Sequence, residues 1–194
     1  MLLRSLLAWS IPIVFAAAPA AGQSKEAAFR STLQSVVQKI AARDSAGLSK
    51  YIDKNTGVYL LHRIGIQDVY DHYNTIGFSD SSYPYILYFK NVKLTPLKYA
   101  RLPQNDHEKW SGFGTFVDTV LRDQLLTKTA LSMKQDSNKP ISQAELNKLT
   151  VLESISRKVM VVNNNRNYLI LSLTYINNKW MLTIIDALTG DWSI

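Results

Sequence analysis

Cysteine is absent from the 194-residue chain, which excludes disulfide staples and any thiolate nucleophile or ligand. A domain built from it must hold together through an apolar core, and about 170 residues suffice for that. Glycine and proline are sparse, at 8 and 6 residues, and no Gly-rich phosphate loop or nucleophile elbow occurs. Only 3 histidines are present, and no three ligand-type residues have zinc spacing, so the reading includes no metal and no cofactor. The formal charge of +7 comes from scattered Lys and Arg without a block of five or six, the pattern of a solvated basic surface. Nucleic acid is not an expected partner.

Long apolar runs are missing except at the start. Met1–Arg4, an apolar run from Ser5 to Ala18 and the small residues up to Gly22 follow the order of a secretory signal peptide. The run is short for a membrane span and contains Pro12. The expectation is a signal peptide over residues 1–22, removed on export, and one domain over 23–194. Membrane contact would then be limited to the uncleaved precursor. Export without cysteine and without an Asn-x-Ser/Thr acceptor points to a bacterial periplasm or exterior.

What is present is a strong periodic signal. Phe29, Leu33, Val36, Val37 and Ile40 form one stripe of a helix over 24–43, and Asp44 or Ser45 caps a second short helix. Val58, Leu60, His62 and Ile64 alternate along a strand opened by Gly57. Gln67–Tyr73 fits a short helix, while Tyr85–Lys90 and Val92–Leu102 have strand composition, with Pro96 demoting the second to an edge or bulged strand. Phe113, Phe116, Val117, Val120, Leu121 and Leu125 match a helical stripe, although Gly112 and Gly114 also suit a bent strand. Ser142 and Glu145 form a capping-box signature for a helix ending near Ile155, and a strand follows over Lys158–Val162.

The segment from Tyr168 to Leu188 reads as a long hairpin around Asn177-Asn178, since Asn tolerates the positive φ that a two-residue loop requires. Straight register places Tyr175 opposite Trp180, Leu173 opposite Leu182, Leu171 opposite Ile184 and Leu169 opposite Asp186, all on one face. Asp186 on a leucine face is a rim residue, a satisfied structural residue or a functional one. His62 shares its face with Val58, Leu60 and Ile64, so the two form a candidate acid/base pair. Asp68, Asp71 and His72 suggest a metal site only weakly, because Asp68 and His72 supply two ligands. His107 has no partner spacing.

Helix pair, strand, short helix and antiparallel strands ending in a hairpin define an α+β class with helices packed on one face of a curved sheet. The stretches Ala41–Leu48, Gly57–Leu60 and Asn178–Asp186 resemble the NTF2-like superfamily, the cone fold of nuclear transport factor 2, SnoaL-type cyclases and ketosteroid isomerase. The resemblance implies an NTF2-like cone similar to exported bacterial members of unassigned function; the insert over 105–139 departs from a minimal cone. Three functions follow as expectations. The first is non-catalytic binding of a small apolar or amphiphilic ligand, or of a protein partner including a second copy, at Trp180, Tyr175, Leu171, Leu182, Ile184 and Leu60. The second is a cofactor-independent isomerase, dehydratase or cyclase using Asp186 and His62, and the third an envelope module for anionic glycans.

Overall fold

The computed structural model describes residues 21–78, 91–107, 109–120, 124–136 and 141–190. The expected signal peptide, apart from its last two residues, and the strand expected over Tyr85–Lys90 lie outside them. The chain is α+β, and the described residues form four α-helices and a mostly antiparallel, curved, unclosed sheet. Its order is β2(Gln67–Tyr73), β1(Val58–Ile64), β9(Lys179–Asp186), β8(Tyr168–Ile176), β7(Ser156–Val162), β6(Gly114–Val117), β3(Leu97–Tyr99). The β1/β9 and β3/β6 pairs are parallel. A separate ribbon pairs β4(Asn105–Asp106) with β5(Lys109–Trp110). No helix among the described residues is long and apolar enough to cross a membrane.

Both faces of this sheet are covered, because its central strands carry apolar side chains on both sides. Helix α1(Ala21–Ala41) lays Phe29, Leu33, Val36, Val37 and Ile40 on Leu60, Leu169, Leu171, Leu173 and Leu182. On the reverse face, α3(Leu125–Asp136) and α4(Gln143–Ile155) bring Leu126, Ala130, Leu146 and Leu149 against Tyr59, Leu61, Tyr70 and Ile184. The expectation of helices on one face is therefore corrected. The longer α4 stripe needs its own apolar surface, and the reverse face of β1 supplies it.

Local chemistry sets the ends of these elements. Asp44 caps α2(Ser45–Leu48) by accepting from Gly47 N at 2.7 Å, and its other oxygen takes Lys39 Nζ at 2.7 Å. Arg43 adopts a positive φ of 54°, and bonds from Arg43 N to Ile40 O and Asp44 N to Lys39 O close α1 with a Schellman turn. Ser142 caps α4 through Glu145 N. The Glu145 carboxylate accepts from Tyr70 OH at 2.8 Å, tying α4 to β2.

Gln67–Tyr73 is a strand, not the expected helix. Gly65, at φ 60°, begins a two-residue loop that folds β2 back on β1, pairing Leu61 with Tyr70 and Ile64 with Gln67. At the other end Gly57 has φ 68°, and a Cβ there would lie 2.3 Å from His72 Nε2. The strand expected over Val92–Leu102 is limited to Leu97–Tyr99, since Pro96 cannot donate to a ladder. The Phe113–Val117 stretch takes the bent-strand alternative, with Gly114 at φ 133°, and the helix begins later, at Leu125.

The N-terminal end of α1 is fixed by charge. Glu26 accepts from Arg157 Nη1 at 2.7 Å, from Arg30 Nε at 3.1 Å and from the Tyr99 hydroxyl. Burial alone would raise its pKa, but the Tyr99 and Arg157 hydrogen bonds together with both guanidinium charges hold it below the ordinary value of 4.5. A depressed carboxylate contributes stability that is complete above that value and lost as the pH falls through the folded-state pKa. In urea denaturation, the stability gap between wild type and Glu26→Gln is thus expected to be widest above pH 4.5 and to narrow below it. Tyr70→Phe, which keeps the ring but removes the hydroxyl bonded to Glu145, should cost about 1 kcal/mol in thermal unfolding.

Candidate functional site

The hairpin loop forms as its residues require, with Asn177 and Asn178 at φ 48° and 64°. Tyr175–Trp180 and Leu173–Leu182 pair in straight register, but the register then shifts. Ser172 lies opposite Ile184 and Leu171 opposite Ile185, leaving Thr183 as an extra residue in β9. The expected pairs Leu171–Ile184 and Leu169–Asp186 do not form. Every β9 side chain beyond the bulge changes face, so Ile184 and Asp186 turn toward α3 and α4.

There Asp186 is 2% exposed and saturated. Its oxygens accept from Leu188 N at 3.0 Å, Thr189 N at 2.9 Å, Thr189 Oγ1 at 2.6 Å and Lys158 Nζ at 3.0 Å. Beside it a cavity of about 100 Å³ is lined by Leu61, Ser156, Lys158, Ser172, Ile184 and the α4 residue Glu153. That volume suits about three waters at roughly 30 Å³ each, too little for a substrate. Glu153 holds the start of α3, accepting from Leu126 N at 2.7 Å and Thr127 N at 3.0 Å. A hydroxyl chain, Ser156 to Thr174 at 2.5 Å and Thr174 to Thr183 at 2.7 Å, completes a buried polar layer. This arrangement anchors the C-terminal turn and leaves Asp186 no lone pair aimed at an open site.

His62 lies on the other face. Leu61 is the parallel partner of Asp186, so the next residue of β1 points away from it. The structure does not bring Asp186 and His62 together. His62 bonds Asp71, Nε2 to Oδ2 at 2.8 Å, and the Tyr73 hydroxyl donates to the same oxygen at 3.2 Å. Sequence reading weighed Asp71 only as a metal ligand and missed it as the partner of His62 because it took 67–73 for a helix; two-residue hairpin geometry after Ile64 was the signal that could have found the pair. Asp68 bonds Arg63 at 2.7 Å, His72 bonds the Thr56 carbonyl at 2.8 Å, and His107 pairs with Asp106.

The residues nominated for binding are divided. Leu60, Leu171, Leu182 and Trp180 are packed under α1 in the core. Tyr175 is half-buried beneath Lys25, whose ammonium sits 4.0 Å from the ring centre, and Ile184 faces the small cavity. Trp180 donates Nε1–H to Lys25 O at 3.0 Å and meets Phe29 edge-on. These aromatics bind α1 to the hairpin and do not wall an open pocket.

Open apolar space occurs on the flank of α1. Between that helix and residues 92–97 runs a groove of about 690 Å³, within the range of about 300–1,000 Å³ usual for small-molecule sites. Leu33, Val37 and Ala41 recur at helical spacing along one wall, and Val92, Leu94 and Leu97 line the other. Arg30, Gln34, Gln38, Lys93 and Thr95 provide the polar lining, and no carboxylate is among the described residues there. At the Arg30 end, Glu26 is shared by two guanidinium groups, leaving an excess of positive charge.

A second, polar cleft of about 760 Å³ lies on the reverse face and shares Asp118 and Lys158 with the small cavity. Arg101, Asn105, Asp106 and Thr189 line it with Leu102, Pro103, Val120 and Met160.

Removing Lys158 would strand the buried Asp186 charge, so Lys158→Met is expected to cost about 3 kcal/mol in urea unfolding. Because His62 and Asp186 lie on opposite faces of the sheet, a double-mutant cycle between His62→Asn and Asp186→Asn should show coupling below about 0.5 kcal/mol. Comparison of the chain with protein-family models, curated proteins and solved structures gave no match.

Proposed function

We propose that this chain is a non-catalytic binding domain for a small amphiphilic ligand, and that the ligand lies in the groove between α1 and residues 92–97. One observation carries the reading: an apolar groove of ligand size, about 690 Å³, has cations but no carboxylate among the described residues that line it. An alkyl or ring portion would lie over Ala41, Leu94, Pro96 and Leu97, which keep exposed surface, and an anionic head would meet Arg30 or Lys93. Arg30 to Ala41 spans about 17 Å of helix at 1.5 Å per residue, the length of an extended medium-chain acyl group. An NTF2-like cone modified by a helical pair on the reverse face, and a periplasmic or secreted location after signal removal, are the setting we propose for this activity. The element order and the helix-covered sheet support the first, and the order of the N-terminal residues supports the second.

A second reading, a cofactor-independent acid/base enzyme, has its support in the His62–Asp71 bond, with Asp71 taking the place given to Asp186 by sequence. Asp71 is half-exposed, so the pair has a route for protons.

The test is displacement of anilinonaphthalene sulfonate by dodecanoate, with dodecyltrimethylammonium as the cationic control. Micromolar competition by the anion, at least about tenfold weaker for the cation and in Leu94→Glu, is expected. Equal binding by wild type and a folded Leu94→Glu protein would refute the groove as the site.

A further inference from the structure

The two cations that line the α1 groove stand at opposite ends of it. Arg30 is tied to the start of β7, because its Nε donates to Glu26 at 3.1 Å and the other Glu26 oxygen takes Arg157 Nη1 at 2.7 Å. Lys93 is tied just past the end of the same strand. The Asn163 side chain accepts from Lys93 N at 2.7 Å and donates to Lys93 O at 2.7 Å, a pair of bonds that imitates one rung of an antiparallel ladder. Arg157 and Asn163 are separated by about 20 Å of extended chain at 3.3 Å per residue. The wall between the two cations is fixed as well. Thr95 N donates to Thr115 Oγ1 at 2.9 Å and the Thr95 hydroxyl to the same oxygen at 3.1 Å, so residues 92–97 are held in place although only Leu97 of them lies in a strand.

Neither cation is used up by these ties. Arg30 is exposed, gives only Nε to Glu26 and keeps its terminal N–H groups, the fork that suits a carboxylate. The bonds of Lys93 to Asn163 are made by its backbone, and its exposed ammonium has no partner among the described residues. Between the ends, Ala41, Leu94, Pro96 and Leu97 offer apolar surface, and the remaining polar lining of Gln34, Gln38 and Thr95 carries no charge. A ligand with one anionic head satisfies one end and lays its apolar tail toward the other cation. A chain with an anion at each end satisfies both. In a groove with a single cation the ranking is the opposite, because a second carboxylate brought against apolar surface loses hydration without return.

We propose that the groove selects medium-chain α,ω-dicarboxylates over monocarboxylates, with one carboxylate on Arg30, the other on Lys93 and the methylene chain over Leu94, Pro96 and Leu97. This rests on the groove being the ligand site and adds the chemical class of the ligand. Asn163 is then a positioning residue, since it sets where the second cation stands.

The experiment compares dodecanoate, dodecanedioate and octanedioate as competitors of anilinonaphthalene sulfonate on the full chain, at about pH 8, where every carboxylate is ionised, and about 10 mM salt. Dodecanedioate should bind about threefold tighter than dodecanoate, the scale of one exposed ion pair. Octanedioate, too short to reach both cations, should bind more weakly than either. Lys93→Gln and Arg30→Gln should each reverse the order of dodecanedioate and dodecanoate. Thermal melts establish that the variants are folded, and Lys93→Gln alone decides if Arg30→Gln, which loosens Glu26, is not. If no acid competes, or if a folded Leu94→Glu protein binds all of them as wild type does, the groove is refuted as the site and this proposal falls with it. If dodecanoate binding is lost in Leu94→Glu but dodecanedioate binds no tighter than dodecanoate to wild type, or if Lys93→Gln weakens both acids alike, the groove stands and the two-ended ligand is overturned.

Discussion

The double-sided burial of β8 is the constraint from which the remaining architecture follows. Leu169, Leu171 and Leu173 point to α1, while Ile170, Ser172 and Thr174 point to the reverse side, and all six are buried. A strand closed on both faces needs two covering layers. One comes from α1 and the other from α3, α4 and the β4–β5 ribbon. The two layers differ in chemistry: the α1 side is apolar throughout its centre, whereas the reverse side contains the hydroxyls of Ser156, Thr174 and Thr183 and the Lys158–Asp186 ion pair. Buried polar groups of this kind are tolerable only when satisfied, and each hydroxyl in the chain has a neighbour to bond.

The polar layer also separates structural from ligand-facing chemistry. Asp186 is held by four donors because a carboxylate at 2% exposure is costly without them. The same saturation fixes the turn through Thr189, so the ion pair acts as a joint between the last strand and the segment beyond it. Open space then lies at the margins, on the flank of α1 and beneath the β4–β5 ribbon, where the packing between layers is incomplete.

Much of the architecture was legible in the sequence. The α1 stripe, the Asp44 and Ser142 caps and the Asn177-Asn178 loop were found because each rests on a local rule confined to a few neighbouring residues. The α+β class followed from their order. Features decided by partners distant in sequence were lost. Thr183 looks like any strand threonine, and nothing local marks it as a bulge; yet the bulge moved Asp186 away from His62 and Ile184 away from Leu171. Gln67–Tyr73 was misread because Val69, Tyr70 and Tyr73 suit a helix as well as a strand, and only the Gly65 turn decides between them. Glu145 was assigned to its own helix end, while its bond goes to Tyr70, far away in the chain. The groove and the cleft are spaces between elements, for which no single segment carries a signature.

The packing of α3 on β2 has a consequence for the sheet margin. β2 is an edge strand, and an edge strand offers free N–H groups to any extended chain that passes. The Tyr70 N–H does not point to solvent; it meets Met133 Sδ of α3 at 3.3 Å. Helix α3 is therefore a cover for the edge as well as a wall of the core. Whatever loosens α3 would convert a closed margin into a template for strand addition, so the colloidal behaviour of the folded chain depends on how firmly a single helix stays docked.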